Sequence, residues 1–271
     1  SNYSPSQYGF LKQDYEQDIS RLYKEINDFN PNIIITMGGL GLWALTSIDK
    51  VGSYRGALTY SNKTKLNRPY KIMPTYSPFA VLKNYSFRPT VVSDLKKAMQ
   101  ESTTADIVNT EREIYIEPTY EEVKTFFKEC REENNEDNPL SFDIETASGE
   151  ITCIGFAPSP KRSMVVPFRD ITKKSQTFYD YHTELAVWKE VADLLQDKTI
   201  VKVAQNQTYD VSWLNHKYGI EVAGTVHDTM HAQHSLQPEM EKGLGFLGSI
   251  YTNEGAWKNL TSFSKSTKAE E

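Results

Sequence analysis

The stretch from Pro139 to Asp210 decides the reading. It opens with Pro139-Leu140-Ser141-Phe142-Asp143-Ile144-Glu145-Thr146 and closes with Val203-Ala204-Gln205-Asn206-Gln207-Thr208-Tyr209-Asp210. In the opening run Leu140, Phe142 and Ile144 alternate with Ser141, Asp143 and Glu145. A strand sends residues i and i+2 to the same face, so the pattern predicts a half-buried strand that carries two carboxylates side by side on its other face. Two like charges that close repel unless a cation sits between them. Thr146, Ser148 and Gly149 end this strand, and Glu150 to Ala157 and Ser163 to Phe168 read as two further strands of an antiparallel meander. A helix from His182 to Gln196 follows, then a short apolar strand from Ile200 to Ala204 that delivers Asn206, Tyr209 and Asp210 to the start of another helix. Three carboxylates from two strand ends are therefore expected to meet, although Asn206 and Asp210 are also residue types that cap helices.

Asp143-Ile144-Glu145-Thr146, followed by Asn206-x-x-Tyr209-Asp210, resembles the first two motifs of DEDD-type 3'-5' exonucleases. His227-Asp228-Thr229-Met230 resembles the continuation found in the proofreading domain of family A DNA polymerases, with those of large bacteriophages nearest in flavour. The resemblance covers roughly the C-terminal half. It implies a ribonuclease H-like mixed-sheet domain over residues 109–271 that removes nucleotides from single-stranded DNA 3' ends with two Mg2+ or Mn2+ ions. In that family's pattern Asp143 bridges both ions, Glu145 holds the ion on the nucleophile side and Asp210 supports the other through water. Thr146, Asn206 and Tyr209 lie against the DNA. The resemblance also calls for a fourth carboxylate, on a helix with a Tyr-x-x-x-Asp pattern downstream of Trp257-Lys258. After Trp257 the chain has no Tyr, His or Asp, and its only acids are Glu270 and Glu271. The expectation is an incomplete site, a weak nuclease, and a downstream polymerase segment, in the same chain or a separate one, as partner.

The 271 residues, 38% of them hydrophobic and 12% aromatic, suffice for two modest α/β domains with their own cores. No apolar run is long enough to cross a bilayer and no signal sequence opens the chain, so the expected location is cytoplasmic, in the host if the protein is phage-encoded. Two cysteines, Cys130 and Cys153, fit a reducing compartment and exclude a four-cysteine zinc site. The formal charge of -6 hides an asymmetry. From Lys50 to Lys97 ten basic residues face the single acid Asp94, whereas from Glu101 to Glu150 fifteen acids face four basic residues. The basic block is interleaved with Tyr54, Tyr60, Tyr70, Tyr76, Tyr85 and Phe87, a combination suited to phosphate contact and base stacking. Arg55, Lys63, Lys65 and Arg68 are its expected DNA-binding members; a solvated surface is the competing reading.

Before that block, Asp14 to Asn27 reads as a helix, Asn32 to Met37 as a strand, and Gly38-Gly39-Leu40-Gly41 as a sharp turn into a second helix. Gly39-x-Gly41-x-x-Ala44 matches a dinucleotide fingerprint, but no ribose-binding acid follows it clearly. The strand, then Arg55-Gly56, then Tyr70 to Leu82 resemble the C-terminal part of a uracil-DNA glycosylase-like domain over residues 1–108. Active members of that family place His before the loop Pro, where this chain has Ser77, and all five His lie beyond residue 181. The resemblance therefore implies a partial, catalytically silent copy.

Glu101 to Asn109 reads as linker, Glu113 to Glu117 as a strand, and Thr119-Tyr-Glu-Glu122 as a capping box that opens a helix to about Glu133. His227, His231 and His234 stand at i, i+4 and i+7, a spacing that shares one helix face and suits zinc if the helix begins early enough. Leu244, Leu247 and Ile250 mark a late helix, whose apolar groups near Leu244, Leu247 and Trp257 are expected to be exposed. A non-catalytic DNA-binding or docking module is the alternative to the nuclease.

Overall fold

The computed structural model describes residues 16–170, 172–173 and 175–256. It divides into two compact units, residues 1–109 with 239–271, and residues 110–238. Among the described residues no helix is long and apolar enough to cross a membrane.

Among the described residues, the first element of the first unit is α1 (Glu16–Phe29), whose Tyr23 and Ile26 are buried, followed by β1 (Ile33–Met37) and α2 (Gly39–Thr46). After them come α3 (Val51–Tyr54), β2 (Thr59–Tyr60), β3 (Lys71–Thr75), α4 (Pro78–Lys83), a 3-10 turn over Tyr85–Phe87, and α5 (Arg88–Glu101). The sheet order is β1-β3-β2, with β1 and β3 parallel and β2 antiparallel to β3. Tyr23, Leu42, Leu45, Tyr70 and Ile72 form the core. Gly38, between β1 and α2, has φ 98°, a conformation that a side chain would strain.

Two of the expected DNA-binding residues are tied into this fold. Arg55 is 3% exposed: Nε donates to Asp94 Oδ2 at 3.1 Å, Nη2 donates to Asp94 Oδ1, and Nη1 donates to Ser249 Oγ at 2.8 Å. A buried guanidinium is stable only when its donors are answered by a charge and further acceptors, and these are supplied here, so Arg55 is structural rather than DNA-facing. Asp94 also accepts from Thr75 Oγ1 at 2.7 Å. Gly56 follows with φ +70°, and a Cβ there would lie 2.7 Å from Asp94 Oδ1. Arg68 is half-buried, with Nε on Asn30 Oδ1 at 3.0 Å and Nη2 on Pro31 O at 2.8 Å. Lys71 and Lys97 of the same basic block are buried as well, Lys97 Nζ donating to Gly56 O at 2.7 Å. Lys65 is exposed and Lys63 half-buried over the Trp43 ring, so these two remain at the surface.

The second unit runs through β4 (Glu113–Ile116), α6 (Tyr120–Glu133), β5 (Leu140–Ala147), β6 (Glu150–Ser159) and β7 (Arg162–Pro167). It continues through α7 (Tyr181–Leu195), β8 (Lys202–Ala204), α8 (Gln207–Tyr218), β9 (Val226–Asp228) and α9 (Thr229–Leu236). The six strands lie in the order β4-β7-β6-β5-β8-β9. The meander β5-β6-β7 is antiparallel, while β4 on β7, β8 on β5 and β9 on β8 are parallel, so the sheet is mixed.

Alternation assigns the faces of this sheet. Phe142, Ile144, Ile154, Phe156, Met164 and Val166 point into one core with Phe126 and Phe127 of α6, Val187, Val191 and Leu194 of α7, and Leu214 of α8. Each large side chain removed from water there contributes about 1.5–3 kcal/mol. The opposite face presents Asp143 and Glu145, in register with Gly155 and Cys153 of β6. The start of α6 is held by the expected capping box: Thr119 Oγ1 accepts from Glu122 N, and Glu122 Oε2 accepts from Thr119 N at 2.7 Å.

The segment after Pro238, within the expected 109–271 module, groups by contact with the first unit. α10 (Leu244–Tyr251) belongs to the first unit, where the Arg55 guanidinium and the Lys97 ammonium bond Ser249, Lys97 Nζ meeting Ser249 O at 3.2 Å. Leu247 is buried, contrary to the expectation of an exposed apolar edge; Trp257, Lys258, Glu270 and Glu271 lie outside the described residues.

Candidate functional site

β5 carries Asp143 and Glu145 at exposed positions that flank buried Ile144. The pairing register shifts between Glu145 and Thr146, where β6 accommodates an extra residue. Such bulges turn a strand's end and re-aim its side chains.

On its other edge β5 pairs with β8 only at Leu140 and Ser141, because β8 stops at Ala204. Leu140 N donates to Val201 O at 2.9 Å along this edge. Further along the same edge, where no strand carbonyl continues the ladder, Ile144 N donates to Asp210 Oδ1 at 3.0 Å. The Asp210 carboxylate thus lies on the amide between Asp143 and Glu145. Burial raises its pKa against the opposing effect of the Ile144 amide, and the negative charges of Asp228 and Glu145 raise it further. A buried carboxylate next to like charges favours a cation as its neighbour.

Beside it, the Tyr209 and Thr146 hydroxyls are 2.7 Å apart, joining the first turn of α8 to the end of β5. Tyr209 is 47% exposed, so its ring remains open to solvent next to the acids.

The turn that presents these residues is not capped as the sequence implied. Asn206 sits in the left-handed region, φ 59° and ψ 47°, and its side chain makes no capping bond. Asp228 supplies the acceptors instead. Its carboxylate takes Asn206 N at 3.1 Å, Gln207 N at 2.9 Å, Met230 N at 2.8 Å and His231 N at 3.4 Å, so one side chain serves the starts of both α8 and α9. Burial works to raise its pKa, but the amides of Gln207, Asn206, Met230 and His231 outweigh that and hold it below the usual carboxylate range. Asp228 stands in the His227-Asp228-Thr229-Met230 run as the residue just before α9, and an Asp in that place is the sequence signal for a cap.

The donor chemistry suits a hard divalent cation, since Asp143, Glu145 and Asp210 offer only anionic oxygens. Among the described residues no group of three or more His, Cys, Asp or Glu side chains is placed to hold a metal ion. His227 belongs to β9 and α9 begins at Thr229, so His227, His231 and His234 do not share one helix face.

Comparison with known proteins identifies the kind of domain. Residues 118–268 match the family described as 3'-5' exonuclease, and because this is more than half of the chain, the protein belongs to that family. Its mixed α/β architecture with a six-stranded mixed sheet fits such a domain. No curated protein matches the chain. Among solved structures, the EXD2 exonuclease domain soaked in Mn and GMP is 18% identical, over 51% of this chain and 68% of that one, at a TM-score of 0.35. The same domain soaked in Mg and dGMP is 19% identical, over 53% and 71%, at 0.34. The catalytic core of RRP6 from Trypanosoma brucei is 18% identical, over 51% of this chain but 35% of its own length, at 0.35.

Proposed function

We propose that the chain is the proofreading exonuclease part of a phage-type DNA polymerase, acting on single-stranded DNA 3' ends with Mg2+ or Mn2+ at Asp143, Glu145 and Asp210. The observation that carries the site is the bond from Ile144 N to Asp210 Oδ1, which brings the acid of the second motif to the strand that bears the first two. Bound there, a pair of divalent cations supplies a polarised phosphate and a hydroxide nucleophile at neutral pH. Asp143 and Glu145 present their oxygens from one face of β5, and Asp210, fixed by the Ile144 amide at one oxygen, offers the other. Tyr209, held by Thr146, flanks the reacting end, and Asn206 lies exposed on the adjoining turn, where a DNA backbone would pass.

The first unit fits a glycosylase-like module without base-excision activity. Ser77 stands where active members have His, and its hydroxyl accepts from Ala80 N at 3.2 Å as the cap of α4. Lys63 and Lys65 remain for phosphate contact. The downstream polymerase segment, in the same or a separate polypeptide, is the proposed partner.

The test is digestion of 5'-labelled single-stranded DNA with Mg2+ and with Mn2+, by this chain alone and mixed with the downstream segment. A ladder shortened from the 3' end, lost with chelator and in Asp143→Ala, is expected. No ladder under either condition, or one that Asp143→Ala leaves intact, overturns the reading.

A further inference from the structure

We propose that Asp228 is the positioning residue of the exonuclease site, acting through the backbone of the β8-α8 turn to set where Asp210 and Tyr209 stand. The inference rests on the reading of Asp143, Glu145 and Asp210 as that site. Asp228 is itself spent: its Oδ1 accepts from Asn206, Met230 and His231 amides and its Oδ2 from the Gln207 amide. With its side chain 2% exposed and both oxygens engaged, it is unsuited to be a ligand of the reacting phosphate.

What it fixes is a turn that does not fix itself. Asn206 holds a left-handed conformation, which Asn tolerates better than most residues, but it contributes no side-chain bond to the helix it opens. The Asn206 and Gln207 amides are the tether between that turn and β9, and Asp210 follows within the first turn of α8, the turn whose direction they set. From there Asp210 reaches Ile144 N and Tyr209 reaches Thr146, so a rotation of α8 at its start would break both contacts at once.

The two oxygens are loaded differently: Oδ2 takes only Gln207 N of α8, whereas Oδ1 takes Asn206 N together with Met230 N and His231 N. In Asp228→Asn one oxygen can still serve Met230 and His231, keeping the cap of α9. Asn206 N keeps the same oxygen, while the amide nitrogen faces the Gln207 amide, donor against donor, so the α8 tether loses its Gln207 half and the α9 cap survives. A residue that merely stabilised the fold would change stability without moving Asp210.

The experiment uses the full chain and two readouts, amide exchange at Ile144 and Mn2+ titration by electron paramagnetic resonance, for wild type, Asp228→Asn, Asp210→Ala and the double variant. Expected is a loss of Ile144 protection in Asp228→Asn of about tenfold, the worth of one ordinary hydrogen bond, with Ile154 unchanged. Mn2+ affinity should fall in Asp228→Asn, and the double variant should be no worse than Asp210→Ala, because the two act on one contact. Should Asp228→Asn fail to fold, Asp228→Ser, which retains a good helix cap, carries the same test. Unchanged Ile144 exchange and Mn2+ affinity in the Asp228 variant, while Asp210→Ala loses Mn2+, overturns the positioning role alone. Retention of Mn2+ binding in Asp210→Ala instead overturns the site on which it rests.

Discussion

Asp94→Ala should be among the most damaging single changes to the first unit, because it strands a buried cation. The Arg55 and Asp94 side chains are 2% and 1% exposed. Removing the carboxylate leaves the Arg55 Nε and Nη2 donors without their acceptor, and it takes away the acceptor of Thr75 Oγ1. Breaking a buried pair by deleting one partner costs about 3–5 kcal/mol. The lost hydroxyl bond adds about 1 kcal/mol, for a total of about 4–6 kcal/mol. Urea unfolding, followed by circular dichroism together with amide exchange resolved to the first unit, measures this. Replacing both residues at once by apolar groups of similar size should restore most of the loss, since the penalty lies in the unanswered charge. A loss below about 1 kcal/mol in Asp94→Ala would refute the reasoning, because it would mean that water reaches Arg55 and that the guanidinium is open to a ligand after all.

Burial lowers the pKa of Lys97 and of Lys202 to about 8. Between about 8 and the ordinary lysine range the unfolded chain holds more protons than the folded one, so stability contributed by these groups rises with pH across that window and is flat below it. Lys202→Met, read by thermal melts from pH 7 to 10, should flatten part of the rise. Cys130 is 1% exposed with its thiol pushed up to about 12, so in the folded chain at pH 8 a thiol reagent should reach Cys153 and leave Cys130 until denaturant is added. Uracil should not be released from a uracil-containing oligonucleotide by this chain, and release that Ser77→Ala abolishes would contradict the silent-module assignment. Salt dependence of DNA binding should weaken when Lys63 and Lys65 are replaced by Ala, and an unchanged slope would show them to be ordinary solvated cations.

The parts of the second unit that were legible in the sequence are those whose order is local. Period-two alternation marked β5, β6 and β7 to within a residue or two, and Thr119 with Glu122 announced the start of α6, because these patterns are imposed by strand pleat and helix end alone. β9 escaped: three residues, Val226–Asp228, are too few to show a period, and the strand exists because its parallel neighbour β8 pairs with it. The same limit misled the reading of the basic block. Arg55 resembles a surface cation until Asp94 and Ser249 appear beside it, partners 39 and 194 residues away that no local pattern reveals. At the candidate site, the placement of Asp143 and Glu145 on one strand and of Asp210 at a helix start was legible, whereas the contacts that hold them were not, since Ile144 meets Asp210 across 66 residues and Asp228 meets Gln207 through a backbone amide that carries no sequence signature.

The central claim is that Asp143, Glu145 and Asp210 act together on divalent cations, and direct Mn2+ titration of the chain tests it without requiring turnover. The account predicts saturable binding that weakens in Asp143→Ala, in Glu145→Ala and in Asp210→Ala, with Mg2+ competing for the same sites. Binding that none of the three substitutions alters, or no binding at all in the presence of single-stranded DNA and the downstream segment, would contradict it.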